Sequence, residues 1–221
     1  MKLLRFFAYI FRILNFRRFE YYNYLIYHFE KGFFKEIGWS NSLMNKTIPI
    51  DEKGMPIPMM SYSIIEFFKE RLTTDMVVFE YGSGNSTFFF SKLVGKVISV
   101  EHDEKWYNNL KSKIPENVEL LYQTLEYDSD YCRKIQTRDE KFDLIIIDGR
   151  DRVNCLKNSF SFLKDNGVLV FDDMYRERYQ EAVPFLNEKG FKNISFSGLS
   201  PGQLLHHKTV LFYRTNNIFG L

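Results

Sequence analysis

Between residues 76 and 215 the apolar residues come in short dense runs, and these alternate with stretches whose apolar positions recur every three or four residues. The runs from Met76 to Glu80, Lys96 to Glu101, Val118 to Tyr122, Phe142 to Asp148 and Gly167 to Phe171 are rich in Val, Ile and Leu and predict strands. Near-continuous apolar strands separated by helices indicate a parallel sheet buried on both faces. The last two runs, Phe191 to Ser197 and Lys208 to Thr215, have only "GLSPGQLLHH" between them, so they are expected to pair antiparallel. The pattern predicts an α/β fold with a doubly wound, mostly parallel seven-stranded sheet and an antiparallel last strand, preceded by a helical N-terminal arm.

In the arm, Leu3, Leu4, Phe7, Ile10, Phe11 and Leu14 share one face at 100° per residue, with Arg5, Arg12 and Asn15 opposite. That is an amphipathic basic helix. The prolines and glycines of "GWSNSLMNKTIPIDEKGMPIPMMSY" mark a linker ending near Pro58, and "SYSIIEFFKERL" starts a helix at Ser61 or Ser63. The expected division is 1–58 for arm and linker and 59–221 for the sheet domain.

Composition narrows the possibilities. With 18% aromatic and 26% charged residues the chain is not of the disordered type. The net charge of +2 hides an asymmetry: Met1 to Glu36 has seven basic and three acidic residues, which leaves 23 basic and 25 acidic elsewhere. The arm therefore suits packing on the main domain, a homo-oligomer contact, or a peripheral membrane contact with Arg at the headgroups. The slightly acidic remainder would not extend a basic track, so no nucleic-acid partner is expected. Arg5 and Arg12 leave only "FFAYIF" between them, which suits neither a secretory signal nor a span of about 20 apolar residues. Two cysteines, Cys132 and Cys155, give no disulfide framework. A cytoplasmic protein is expected, with the inner face of a membrane as the place of any peripheral contact.

The candidate chemistry begins at "VVFEYGSGNSTFFFSK". Gly82 and Gly84 allow close approach of backbone to ligand, and Asn85, Ser86 and Thr87 are helix-start residues, so this is the first turn of the sheet, where a nucleotide sits in such folds. A dinucleotide fingerprint needs glycine at position 87, where the chain has Thr87. Glu80, at the end of a buried strand, is costly unless backbone donors or a cation satisfy it. Glu101 ends the second strand nineteen residues after Gly82, the spacing at which an acid reaches ribose hydroxyls.

"FEYGSGNST" resembles motif I, E/DxGxGxG, of class I S-adenosylmethionine-dependent methyltransferases, with Glu80, Gly82 and Gly84 matching and Ser86 in place of the third glycine. The resemblance implies a Rossmann-like domain in which Glu80, Gly82, Ser83, Gly84, Asn85 and Ser86 form the cofactor loop, with Glu80 organising it and facing an ammonium group. It implies that Glu101 binds the ribose beside His102 at the adenine, with Thr124 and Glu126 of "QTLE" also near adenine. Asp148 in "DLIIIDGRDR" and Asp172 and Asp173 in "GVLVFDDMYRERY" would gather at the same edge and repel unless a cation intervenes. Either an arginine of "GRDR" or "YRER" or a divalent cation such as magnesium fills that need. The three resemble the carboxylates of metal-dependent catechol-type O-methyltransferases, but Asp173 replaces the Asn and Asp151 replaces the lysine of that pattern. The resemblance implies catalytic and metal-binding roles for Asp148, Asp172 and Asp173, without the lysine base.

"EHDEKW", "YDSD" and "DDMYRERY" are similar to plant polysaccharide methyltransferases that act on glucuronic acid in xylan, and to bacterial relatives. A hydroxyl on a small molecule or glycan is the implied acceptor. Asp148, a bound metal, or His206 and His207 are the choices for removing its proton. Arg150 and Arg152 would pair with an acidic substrate such as a uronic acid. Two other classes stay open: a nicotinamide-dependent oxidoreductase, and a non-catalytic nucleotide-binding module that docks through its arm.

Overall fold

A computed structural model describes Arg5, Tyr9 and residues 16–221, which form two compact units. One runs up to Met55 and includes Pro201–Gln203; the other comprises Pro56–Ser200 and Leu204–Leu221. The apolar stripe expected at Leu3, Leu4, Phe7, Ile10, Phe11 and Leu14, with Arg12 and Asn15 opposite, lies outside the described residues.

The first unit contains helices α1 (Phe16–Glu30), α2 (Phe33–Glu36) and α3 (Trp39–Met44). Its centre is Trp39, which is 1% exposed and packs against Phe29 and Phe34 at ring-centroid distances of 5.1 and 5.0 Å. A buried indole needs an acceptor for its N–H, and Trp39 donates to the Gln203 carbonyl at 2.9 Å. Among the described residues no helix is long and apolar enough to cross a membrane.

The second unit opens with α4 (Tyr62–Arg71) and continues as β1 (Val77–Tyr81), α5 (Asn85–Ser91), β2 (Lys96–Glu101), α6 (Glu104–Lys111), β3 (Val118–Tyr122) and α7 (Asp130–Arg133). It closes with β4 (Phe142–Ile147), α8 (Arg152–Ser159), β5 (Leu163–Phe171), α9 (Ala182–Glu188), β6 (Lys192–Leu199) and β7 (His206–Tyr213). The sheet order is β3-β2-β1-β4-β5-β7-β6, with β7 antiparallel to both neighbours and the other pairs parallel. This is the doubly wound seven-stranded sheet the apolar pattern predicts.

Side chains alternate between the two faces of a strand, so the apolar runs fill two cores at once. Phe79, Tyr81, Ile98, Val100, Ile145 and Ile147 pack in one cluster; Val78, Val97, Leu144, Ile146 and Val170 pack in the other. Burying each of these side chains contributes about 1.5 to 3 kcal/mol. Strand β5 starts four residues before the expected Gly167, because its register against β4 slips between Phe142↔Leu163 and Leu144↔Val168. The polar Lys164, Asp165 and Asn166 within that slip hide the start of the strand from an apolar pattern.

Register then places the functional edge. Tyr81 pairs with Val100 and Ile147, and Ile147 pairs with Phe171. The next residue along each parallel strand is therefore Gly82, Glu101, Asp148 and Asp172, in one row at the carboxyl edge where such sheets bind ligands.

Candidate active site

The glycine loop is held from beneath by Glu80. This residue is fully buried, and its Oε2 accepts from the Thr87 hydroxyl at 2.6 Å and the Ser99 hydroxyl at 2.8 Å. Thr87 Oγ1 also accepts from the Gly84 amide at 3.0 Å, which links the loop, the start of α5 and the strand end in one chain of bonds. Oε1 makes no hydrogen bond of normal geometry, although the nearby Ser86 hydroxyl eases its burial. Burial pushes the carboxyl up to about 7; Ser86, Thr87 and Ser99 oppose the shift and the Glu101 charge adds to it. Glu80 is a scaffold under the loop and does not line the cleft above it.

Gly82 adopts φ +92°, and a Cβ there would stand 2.8 Å from the Gly149 Cα, so the first and fourth strand loops cross in backbone contact. Gly84 is different. A Cβ at that position would meet nothing within 4 Å, which leaves the loop open to a ligand. Trp106, three residues into α6, donates its indole N–H to the Ser83 carbonyl at 2.8 Å and pins the loop from outside.

Glu101 is 3% exposed. Its Oε2 accepts the Ser83 amide at 3.1 Å, and its Oε1 accepts the amides of His102 and Asp103, each at 2.8 Å. A carboxylate has about four acceptor positions, so one remains for a ligand hydroxyl in the cleft. The cleft, of about 290 Å³, is lined by Gly82, Ser83, Ser86, Glu101, His102 and Asp148 together with Gly149, Arg150 and Arg152. An open glycine loop, a strand-end acid and an adjoining imidazole fit S-adenosylmethionine.

Beside the cleft, one guanidinium stands among the three aspartates. Arg152 Nη2 lies 2.9 Å from Asp148 Oδ1 and 3.2 Å from Asp173 Oδ2, and Nη1 lies 3.6 Å from Asp172 Oδ2. Its Nε and Nη2 donate to the carbonyls of Gly149 and Asp148, both at 3.0 Å. Asp173 also pairs with Arg176 at 2.8 Å. Burial, then repulsion from Asp172, raises Asp148 well above the usual carboxylate range against the pull of Arg152. Asp172 moves the other way: burial opposes ionisation, but the His207 hydrogen bond and charge, Arg152 and Thr209 outweigh it. His207 Nε2 sits 2.9 and 3.0 Å from the two Asp172 oxygens, and the Thr209 hydroxyl donates to Asp172 Oδ1.

This arrangement bears on the divalent cation that the resemblance implied. Among the described residues Asp172, Asp173 and His207 bring one ligand atom each within 4.8 Å of one another. However, His207 Nε2 is committed to Asp172, and an ion bridging Asp148 and Asp173 would have to displace a guanidinium anchored on backbone carbonyls. The side chains as placed do not fit a magnesium site at Asp148, Asp172 and Asp173.

Of the sequence-derived candidates, Gly82, Ser83, Ser86, Glu101, His102 and Asp148 line the cleft, while Asp172 and Asp173 lie behind Arg152. Gly84 in the loop and Asn85 at the start of α5 do not line the cavity, and Thr124 and Glu126 are exposed outside it. His206 and His207 are the first residues of β7, not of the preceding loop, because the β6 pairing extends to Leu199↔His206. Sequence reasoning missed Trp106, Ser99 and Gly149; only contact between separate elements reveals them.

Sheet order, antiparallel closing strand and glycine loop together define a class, the class I S-adenosylmethionine-dependent methyltransferase fold. Residues 79–174 match the family model described as a methyltransferase domain, and these residues contain the loop, Glu101 and all three aspartates. Among solved structures the chain is similar to an rRNA methylase from Streptococcus thermophilus, with 19% identity and a TM-score of 0.53 over 71% of this chain and 99% of that one. It is also similar to an O-methyltransferase from Bacillus cereus in complex with SAH, with 17% identity and a TM-score of 0.55 over 73% and 86%. A precorrin-6y methyltransferase from Geobacter metallireducens matches with 17% identity and a TM-score of 0.52 over 68% and 87%. No curated protein matches the chain significantly. The nicotinamide-dependent reading is not favoured.

Proposed function

We propose that the protein transfers the methyl group of S-adenosylmethionine to a hydroxyl on a small molecule or saccharide, with Asp148 as the proton acceptor. The observation that carries this reading is the position of Asp148: it lines the same cleft as the glycine loop and Glu101, and its carboxyl is raised well above the usual range by burial and by Asp172. A raised carboxylate is a better base toward an alcohol. S-adenosylmethionine supplies an electrophilic methyl carbon on a sulfonium. In the step, an acceptor O–C bond forms as the S–C bond breaks, the hydroxyl proton passes to Asp148, and S-adenosylhomocysteine leaves. Ser83, Ser86 and Glu101 bind and orient, so that most of the acceleration comes from holding oxygen and methyl carbon about 3 to 3.5 Å apart in line. Arg152 pairs with all three carboxylates, Asp148 at 2.9 Å included, and opposes proton uptake by Asp148, while burial and the Asp172 charge favour it.

Calorimetric titration with S-adenosylhomocysteine tests the cofactor assignment directly, with NADH as the competing ligand. Glu101→Ala is expected to weaken S-adenosylhomocysteine binding by roughly 1.5 to 3 kcal/mol, the range for hydrogen bonds to a charged group. Unchanged affinity in that variant removes Glu101 from the ribose site.

With Arg152 in the place of a metal, methyl transfer to whichever hydroxyl acceptor turns over is expected to proceed at the same rate in excess EDTA. Loss of turnover in EDTA, restored by magnesium or manganese, gives the aspartates back to a cation.

A further inference from the structure

A second hollow of about 270 Å³ adjoins the cofactor cleft, and Arg150 and Arg152 line both. Tyr127, Asn154, Arg178 and Tyr179 complete its polar and aromatic wall. Two guanidinium groups stand over the Tyr179 ring, Arg152 at 5.5 Å and Arg178 at 4.8 Å from its centroid. Stacking on a ring fixes a guanidinium by its face and leaves its N–H edge for a ligand.

The charges around the hollow do not balance internally. Arg152 is spent on the three aspartates. Of the two acids on the wall, Glu181 pairs with Lys157 at 3.4 Å, and Asp151 accepts from the Asp128 amide at 2.8 Å and the Asn154 amide group at 2.9 Å without a cationic partner among the described residues, so the two arginines below exceed the unpaired acid by one charge. Arg150 and Arg178, by contrast, form no ion pair among the described residues. Two unpaired arginines thus converge on a hollow that opens beside the candidate base.

We infer that this hollow is the acceptor subsite and that it selects an anionic acceptor, one whose carboxylate or phosphate is bound by Arg150 and Arg178 while its hydroxyl points toward Asp148. The inference rests on the methyltransferase reading of the adjoining cleft. Planar guanidinium groups bind either anion through paired N–H bonds, so both share the chemistry proposed.

The test uses three probes titrated by calorimetry into the full chain saturated with S-adenosylhomocysteine: 4-nitrophenyl glucuronide, 4-nitrophenyl phosphate and the neutral 4-nitrophenyl glucoside. At least one anion is expected to bind about tenfold or more tightly than the glucoside, as two charge-assisted contacts allow, and the comparison of the two tells carboxylate from phosphate. Arg178→Gln, a change at an exposed side chain, is expected to bring the anion to the level of the glucoside while S-adenosylhomocysteine affinity stays the same. Equal binding of all three probes, no binding of either anion, or a preference that survives Arg178→Gln combined with Arg150→Gln overturns the proposal. Failure of S-adenosylhomocysteine to bind overturns the cofactor reading instead, and the probe titrations repeated without it still read the anion preference.

Discussion

Arg152→Met is expected to destabilise the protein by about 3 to 5 kcal/mol at pH 7, the cost of leaving buried charges without their partner. Asp148, Asp172 and Asp173 all face this one guanidinium, and two of the three are almost fully buried. Methionine fills much of the arginine's volume, so a lost cavity contact is not the main term. Without the cation the carboxylates repel one another and take up protons more readily, which makes the deficit pH-dependent. It should be greatest near neutrality and shrink as the pH falls and the aspartates become neutral. Thermal denaturation reads it as a fall in Tm on the order of 10 °C at pH 7 and less at pH 5. A variant with the wild-type Tm at both pH values shows that the aspartates have another partner.

Glu80→Gln is expected to have the opposite pH signature. The folded carboxyl is raised by burial to about 7 from its ordinary value of about 4.5, so between those values the native state keeps a proton that the unfolded chain has released. Wild-type stability therefore falls as pH rises through this window and has lost its full share above about 7, on the order of 3 kcal/mol for a shift of this size. Glutamine cannot ionise, and its side-chain oxygen still accepts from Thr87 and Ser99. Urea unfolding at pH 5 and pH 8 should show the variant gaining on wild type by that amount at the higher pH. Parallel stability curves for the two proteins place no titrating group at this position. Because Glu80 holds the loop through Thr87 and Gly84, the same comparison shows how much of the loop's order depends on ionised Glu80 rather than on its shape.

The strands were legible because apolar runs buried on both faces leave little else for a chain to be. Glu101 and Asp148 stood out for a related reason: an acid that ends such a run has to be at the sheet's edge. The choice among cations was not legible. Arg150, Arg152, Arg176 and Arg178 all lie close in sequence to the aspartates, and only the backbone decides between them. Arg152 is the first residue of α8, four residues after Asp148, so its side chain folds back over the strand end, whereas Arg150 in the turn reaches outward. Thr124 and Glu126 are exposed on the segment after β3 and do not line the cleft. Nothing in the sequence around Trp106 singles it out; that its indole reaches across to the Ser83 carbonyl depends on the packing of α6 on the sheet edge. The donors of Glu80 come from a loop and a neighbouring strand, and nothing in the local pattern of either announces the partnership.

The crossing of Gly82 and Gly149 bears on how such a protein diversifies. Backbone pressed on backbone fixes the spacing between the loop that seats the cofactor and the loop that presents Asp148, with no side chain at the contact to be altered. Residues around the second hollow, such as Tyr127 and Arg178, hang from segments outside that crossing. If the second hollow receives the acceptor as proposed, drift at those outer positions would change which molecule is accepted while the spacing set by the crossing is inherited intact.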